Sequence, residues 1–258
     1  MGANAIPAVP PSLMDRLPPL AYENIQELLD VPGAEPESDL RHSLRDIRLA
    51  NLIGQGTAVI LHYLGALTRD WPAGRPLTVL DIATGSGDIP LAICRWAKGR
   101  GIPVQVLATD ISPEVIAAAR TVVKDHSQIT LDVLDARALP FPDASFDIVT
   151  CSLALHHLER PDAVAVIRQM ARVARVGFIV NDIERCWPAY VAVHLLVSTP
   201  LTNRLTRHDG PASVKRAYTA YELAAMAAAA GVRGAHVFRH VFWRQALVGR
   251  RRESGVGG

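Results

Sequence analysis

VLDIATGSGDIP, residues 79–90, runs from an apolar stretch to an acid, through a glycine turn, and on to a second acid. Val79, Leu80 and Ile82 read as a buried strand, and DIPLAICRWAK after the turn has helical spacing as far as Gly99. A glycine turn between a strand and a helix marks where an open parallel sheet receives a ligand. Gly85 and Gly87 let the backbone approach that ligand closely. The pyrophosphate fingerprint needs G-x-G-x-x-G and a helix start that attracts anions, whereas Asp88, Ile89 and Pro90 follow Gly87 here. The Asp88 carboxylate repels a phosphate at that point, and no G-K-[ST] follows. A dinucleotide and a P-loop are both disfavoured. An acid at this turn suits a cationic ligand.

Working outward, VQVLATD (104–110) is a second strand, followed by a helix with Ser112 as its cap and Pro113 at its first position. ITLDVLDA (129–136) and SFDIVTCSLAL (145–155) are the third and fourth strands. RPDAVAVIRQMARVA (160–174) is a helix, and GFIVND (177–182) is the fifth strand. Strands alternating with helices of this length predict an α/β fold with a parallel sheet and helices on both faces. TAYELAAMAAAAG (219–231) is a further helix, and GAHVFRHVFWRQALVGR (234–250) reads as a terminal pair of strands. The expected organisation is a flexible proline-rich arm over 1–37, an amino-terminal helical lid over 38–75, a core of 76–182 with 218–250, and a helical cap insertion over 183–217.

Composition bounds the function. Of 258 residues, 49% are hydrophobic and 20% charged, which supports a substantial core. A net charge of +2 leaves no electrostatic footprint for nucleic acid. Cys94, Cys151 and Cys186 lack metal-ligand spacing, and their odd number without a secretory signal points to a reducing, cytoplasmic setting. WPAYVAVHLLVSTPL, from Trp187, is too short to span a bilayer.

Asp110 closes the second strand, 25 residues after Gly85, where a carboxylate can accept bonds from two ribose hydroxyls. Asp135 closes the third, with Ala136 beside it where an adenine amine can donate. Asp81, Asp110 and Asp135 thus lie at three consecutive strand ends with no partner for a phosphate. A nucleoside that carries positive charge and no phosphate is S-adenosylmethionine.

VLDIATGSGD, ATDIS, LDARALPFPDASFDIVTCSLALHHL and GFIVND together resemble the class I S-adenosylmethionine-dependent methyltransferases, over roughly residues 76–250. That family often has D-x-G-x-G-x-G; Ala83 replaces the first glycine, as in the ubiquinone/menaquinone methyltransferase branch. The resemblance implies a Rossmann-like, seven-stranded, mostly parallel sheet whose last strand is antiparallel. It also implies cofactor contacts at Asp81, Ala83, Thr84, Gly85, Asp88, Asp110, Ile111, Asp135, Ala136, Ser152 and Leu153. Arg48, near Asn51 on the lid, can reach the cofactor's carboxylate or pair within its own helix.

Methyl transfer from a sulfonium needs alignment, plus a base where the acceptor holds a proton. His156 and His157 follow the fourth strand, and Asp182 at the end of the fifth can orient one of them. His157 is the favoured base, His156 the next, and His208 in the cap a rival. No metal is expected, because the fourth strand ends in Cys151-Ser152 without an acid. Trp187, Tyr190, Val191, Leu195 and Leu196 can wall an apolar acceptor pocket or serve as plain helix core. NDIER and TRHDGPASVKRAYT are similar to methyltransferases of bacterial type III polyketide pathways, which implies a phenolic or quinone-like acceptor methylated on oxygen. Ring-carbon methylation and a non-catalytic binding subunit are the alternatives. The expected partner is a small apolar or aromatic molecule, without nucleic acid, and the protein is expected as a monomer or homodimer.

Overall fold

A computed structural model of the 258-residue chain describes Val9 and residues 12–28, 55–198 and 204–251. Seven strands form one sheet: β1 (Leu77–Ile82), β2 (Val104–Asp110), β3 (Ile129–Val133), β4 (Phe146–Ser152), β5 (Ala174–Ile183), β6 (Ala235–His240) and β7 (Arg244–Arg250). Their order is β3-β2-β1-β4-β5-β7-β6. The first five are parallel, and β7 runs antiparallel between β5 and β6. The central strands are covered on both faces, which is why β1 and β4 read as Val-, Leu- and Ile-rich runs without alternation.

One face packs under α1 (Gly56–Leu67) and α2 (Asp88–Lys98), around Ile60, Leu64, Val79, Ile93 and Ile148. After α3 (Pro113–Val123), the other face packs under α4 (Arg160–Val173), around Leu80, Val149, Ile167 and Met170. Next come the helices α5 (Trp187–Val197) and α6 (Arg204–Arg216), which pack on each other, and α7 (Ala220–Ala229), which joins the α4 face through Leu223. Local chemistry sets the boundaries. Ser112 Oγ accepts from the Val115 amide at 3.2 Å to start α3, and Thr219 and Glu222 form a reciprocal capping box at α7. No helix among the described residues is long and apolar enough to cross a membrane.

Two segments differ from the sequence expectation. β3 stops at Val133, so Asp135 lies past the strand end and not on it. Residues 12–28, expected as part of a loose arm, are tied down at several points. Leu20 packs with Cys186, Ala189 and Val214. Arg239 donates to Asp15 at 2.8 Å, Lys215 to Glu23 at 2.9 Å, and the Leu28 amide to Asp209 at 2.9 Å. Leu13–Arg16 form one 3-10 turn that ends before Pro18 and Pro19, and the polar groups of the largely irregular stretch find distant partners. The proposed helix over 38–54, with Arg48 and Asn51, lies outside the described residues.

Candidate active site

The strand order reverses between β1 and β4, and the carboxyl ends of β1, β2, β4 and β5 carry the polar residues of the site. Asp81, at the end of β1, is 1% exposed and accepts from Thr150 Oγ1 at 2.6 Å. Burial pushes its pKa up to about 7, against the hydrogen bond from Thr150 that favours the ionised form. The next turn of backbone is tight. Ala83 sits at φ 52, Gly85 at φ 53 and Gly87 at φ 77, all left-handed. A Cβ on Gly87 would stand 2.9 Å from Val123, whereas one on Gly85 would meet nothing within 4 Å. Gly85 therefore presents bare backbone to an open side, as a ligand cradle requires.

The glycine expected by the family pattern at position 83 has a physical basis, since left-handed backbone costs an L-residue roughly 1–2 kcal/mol. Ala83→Gly relieves that strain and gives part of it back through greater unfolded-state entropy. We expect a net gain of roughly 0.5–1 kcal/mol in a urea melt. A lower midpoint for the glycine variant would overturn this account.

Asp110 closes β2 and ties the turn together: it accepts from the Gly85 amide at 3.2 Å and the Ser112 amide at 3.1 Å. Burial raises its pKa, opposed by those amides and that of Ile111. Ile111 is 60% exposed, an apolar face beside a carboxylate. Asp88 opens α2 and accepts from Ser86 Oγ at 2.9 Å. Asp135 behaves differently from Asp81 and Asp110. It is bound by Arg137 through paired bonds of 2.8–3.0 Å, which hold its pKa below the usual carboxylate range, and Arg137 also reaches Asp162. Ala136 is partly buried beside it. Thr84 is buried, its amide donating to Thr109 O at 2.9 Å. The Cys151 thiol is pushed well up by burial and then by the carboxylates of Asp182, Asp81 and Asp110. The carboxylates of Asp81, Asp110 and Asp182 gather at these strand ends, which suits a cation.

Ser152, at the end of β4, accepts from Asn181 Nδ2 at 2.9 Å, and Leu153 follows at φ 55 with its amide bonded to Asn181 O. Leu155–His157 then form a single 3-10 turn. Asp182 meets His156 and not His157: Nδ1 of His156 lies 2.6 Å from Asp182 Oδ1, with both side chains buried. The reason is the turn, in which successive side chains point about 120° apart, so only one of two neighbours can face β5. Burial raises the Asp182 pKa, but the imidazole of His156 brings it below the ordinary value. His157 is partly exposed instead, with its ring 4.2 Å from that of His156 and its Nδ1 3.8 Å from Glu27. His208, on α6, is 44% exposed and pairs with its neighbour Asp209.

Three residues of this cluster carry no local sequence signal. Glu27, 2% exposed, comes from the amino-terminal segment and accepts from Ser213 Oγ at 2.9 Å. Arg216 donates to the His157 carbonyl, and Arg244 is buried with its pKa drawn down to about 10 by desolvation, partly offset by Asp182. Of the apolar residues expected as a wall on α5, Trp187, Val191, Leu195 and Leu196 are exposed, whereas Tyr190 is partly buried against Leu20, Cys186, Ala189 and Val214.

A family model described as "Methyltransferase domain" matches residues 79–177, from β1 through the start of β5. The ubiquinone/menaquinone biosynthesis C-methyltransferase UbiE of Laribacter hongkongensis is 32% identical over 159 residues, covering 56% of this chain. Over residues 79–177 the chain is similar to methyltransferase domains, and its sheet has the α/β, Rossmann-like methyltransferase fold. It spans 63% of the length of that UbiE relative. A methyltransferase structure from Aquifex aeolicus shares the fold at 16% identity and a TM-score of 0.56, covering 84% of this chain and 98% of its own. Magnesium protoporphyrin IX methyltransferase from Synechocystis PCC 6803, solved with bound SAH, does so at 19% and 0.54, covering 77% and 83%.

Proposed function

We propose that this methyltransferase moves a methyl group from S-adenosylmethionine to an oxygen of a phenolic or quinone-like small molecule, with His156 as the base. The observation that carries this reading is the buried His156–Asp182 pair at the carboxyl ends of β4 and β5, beside the negative strand ends. S-adenosylmethionine supplies an activated methyl on a sulfonium. Asp110 holds the ribose, Gly85, Ala83 and Thr84 line the backbone cradle, and Ile111 and Ala136 cover the adenine. Asp81, Asp88, Ser152 and Leu153 complete the wall. Asp182 fixes His156 with Nδ1 toward itself, which leaves Nε2 to take the acceptor's proton.

A second reading is methylation at a ring carbon, favoured because the Laribacter hongkongensis relative is named a C-methyltransferase. Carbon attack in an activated phenol also begins with loss of the hydroxyl proton, so the same imidazole serves both. Incubation with carbon-13-labelled cofactor and a resorcinol acceptor separates them, since methoxy and ring-methyl carbons resonate far apart. Label on oxygen supports the first reading, and label on the ring replaces it with the second. No transfer to either atom sinks both for this acceptor class.

The cofactor assignment has its own test. Asp110→Ala removes charge-assisted bonds worth roughly 1.5–3 kcal/mol, which is about 10- to 150-fold in affinity. Calorimetry with S-adenosylhomocysteine reads this directly, and unchanged affinity would remove Asp110 from the site.

A further inference from the structure

We propose that Glu27, His156 and His157 form a binding site for a divalent transition metal, zinc in the first instance. One ligand atom from each of the three lies within 4.8 Å of the others. Two imidazoles and one carboxylate are the donor set of open zinc centres, which leave a coordination position for water or substrate. A tetrahedral zinc with bonds of about 2.0–2.1 Å holds its ligand atoms roughly 3.4 Å apart. Glu27 Oε2 and His157 Nδ1 are separated by 3.8 Å, too long for a hydrogen bond and near that ligand spacing.

The surroundings match a metal site beyond the three donors. A metal-binding histidine characteristically gives its other nitrogen to a carboxylate, and ligating carboxylates are themselves hydrogen-bonded. Asp182 engages Nδ1 of His156 at 2.6 Å, which fixes the ring and leaves Nε2 for the metal. Ser213 Oγ donates to Glu27 at 2.9 Å. Glu27 and His156 are buried, whereas His157 is partly exposed and marks the entry side. Arg216, 3.7 Å from Glu27, opposes a cation. The two carboxylates of Glu27 and Asp182 balance a divalent charge, and Arg216 and Arg244 remain as positive groups that the metal has to overcome. The acid-poor end of β4, which argued against a metal, does not bear on this site, since its carboxylate comes from a segment more than a hundred residues earlier.

A metal here would occupy Nε2 of His156, so the metal-loaded and base-competent forms exclude one another; the loaded form would activate the acceptor oxygen as a Lewis acid in place of the imidazole. Only that clause rests on the methyl-transfer reading; metal binding does not. The test is calorimetric titration of zinc chloride into the chelator-stripped full chain, followed by cobalt(II) absorption to read the coordination number. One zinc per chain is expected, with a tetrahedral cobalt spectrum. Glu27→Gln and His157→Ala should each weaken zinc by at least about 10-fold, and Asp182→Asn by about 10- to 100-fold. His236→Ala, on the exposed part of β6, should leave affinity unchanged. His157 is partly exposed, so its variant keeps the test decisive if Glu27→Gln does not fold. Absence of zinc binding, or binding that His157→Ala leaves intact, overturns the proposal. S-adenosylhomocysteine titrated in parallel keeps the two readings apart: zinc without cofactor binding overturns the cofactor site alone, and the reverse overturns this inference alone.

Discussion

His156→Ala should lower turnover of a phenolic acceptor by about 10²–10⁴-fold while S-adenosylhomocysteine binds with unchanged affinity. A phenol with a pKa of about 10 is almost wholly protonated at neutral pH, so attack on the methyl group gains from a placed base. Alignment by the pocket persists in the variant, which is why the loss stops at the share due to proton removal. Asp182→Asn should cost less, since the imidazole stays but loses its orienting carboxylate. Raising the pH toward that of the free phenol should partly rescue both variants, a response that mere structural damage would not give. Chelated enzyme is the sample to use, so that any metal contribution is removed. Truncation leaves Asp182 buried beside Arg244 without its imidazole, so a thermal melt must accompany each rate. Full turnover by His156→Ala from pH 6 to 9 would move the base elsewhere, with His157 the next residue to replace.

Asp81→Asn should stabilise the fold while weakening the cofactor site, and the stabilisation should grow with pH. The Asp81 carboxyl has a folded pKa of about 7 against an ordinary 3.8, because burial disfavours its charge. A group that binds its proton more tightly when folded favours folding below pH 4, and this advantage is lost as the pH rises through about 7. A rise of this size corresponds to at most roughly 4 kcal/mol. Asparagine does not titrate, and its side-chain oxygen can still accept from Thr150. The melting temperatures of variant and parent should therefore be close near pH 4 and diverge toward pH 8, with the variant higher. Parallel curves would mean that Asp81 ionises in the fold as it does in water.

The sheet was legible because the central strands are short and mostly apolar, and the helix starts carry their own signals: Ser112 with Pro113, and Thr219 with Glu222. Asp81 and Asp110 were legible for the same reason, since an acid ending such a run marks the carboxyl edge of the sheet. Asp135 was misplaced because the pairing of β3 with β2 decides where β3 ends, and because Arg137 two residues on claims the carboxylate. The choice between His156 and His157 was beyond the sequence. Adjacent residues in one 3-10 turn differ only in direction, and that depends on how the turn docks against β5. Glu27 was invisible altogether: a lone acid after a proline-rich stretch gains meaning only when Ser213 and His157 are brought beside it.

The partners of residues 12–28 have a consequence for how the molecule is made. Asp15 pairs with Arg239, 224 positions later, and Glu27 with Ser213, 186 later. Contacts this distant carry a large loop-closure cost and form after local ones. During synthesis residues 12–28 emerge well before β6 and must wait for it before the Asp15–Arg239 ion pair exists. The β1–β5 sheet can assemble meanwhile, with the glycine turn, Asp110 and the His156–Asp182 pair in place but Glu27 absent. The expected order in refolding is therefore that S-adenosylhomocysteine binding recovers ahead of protection of the Leu28 amide from exchange.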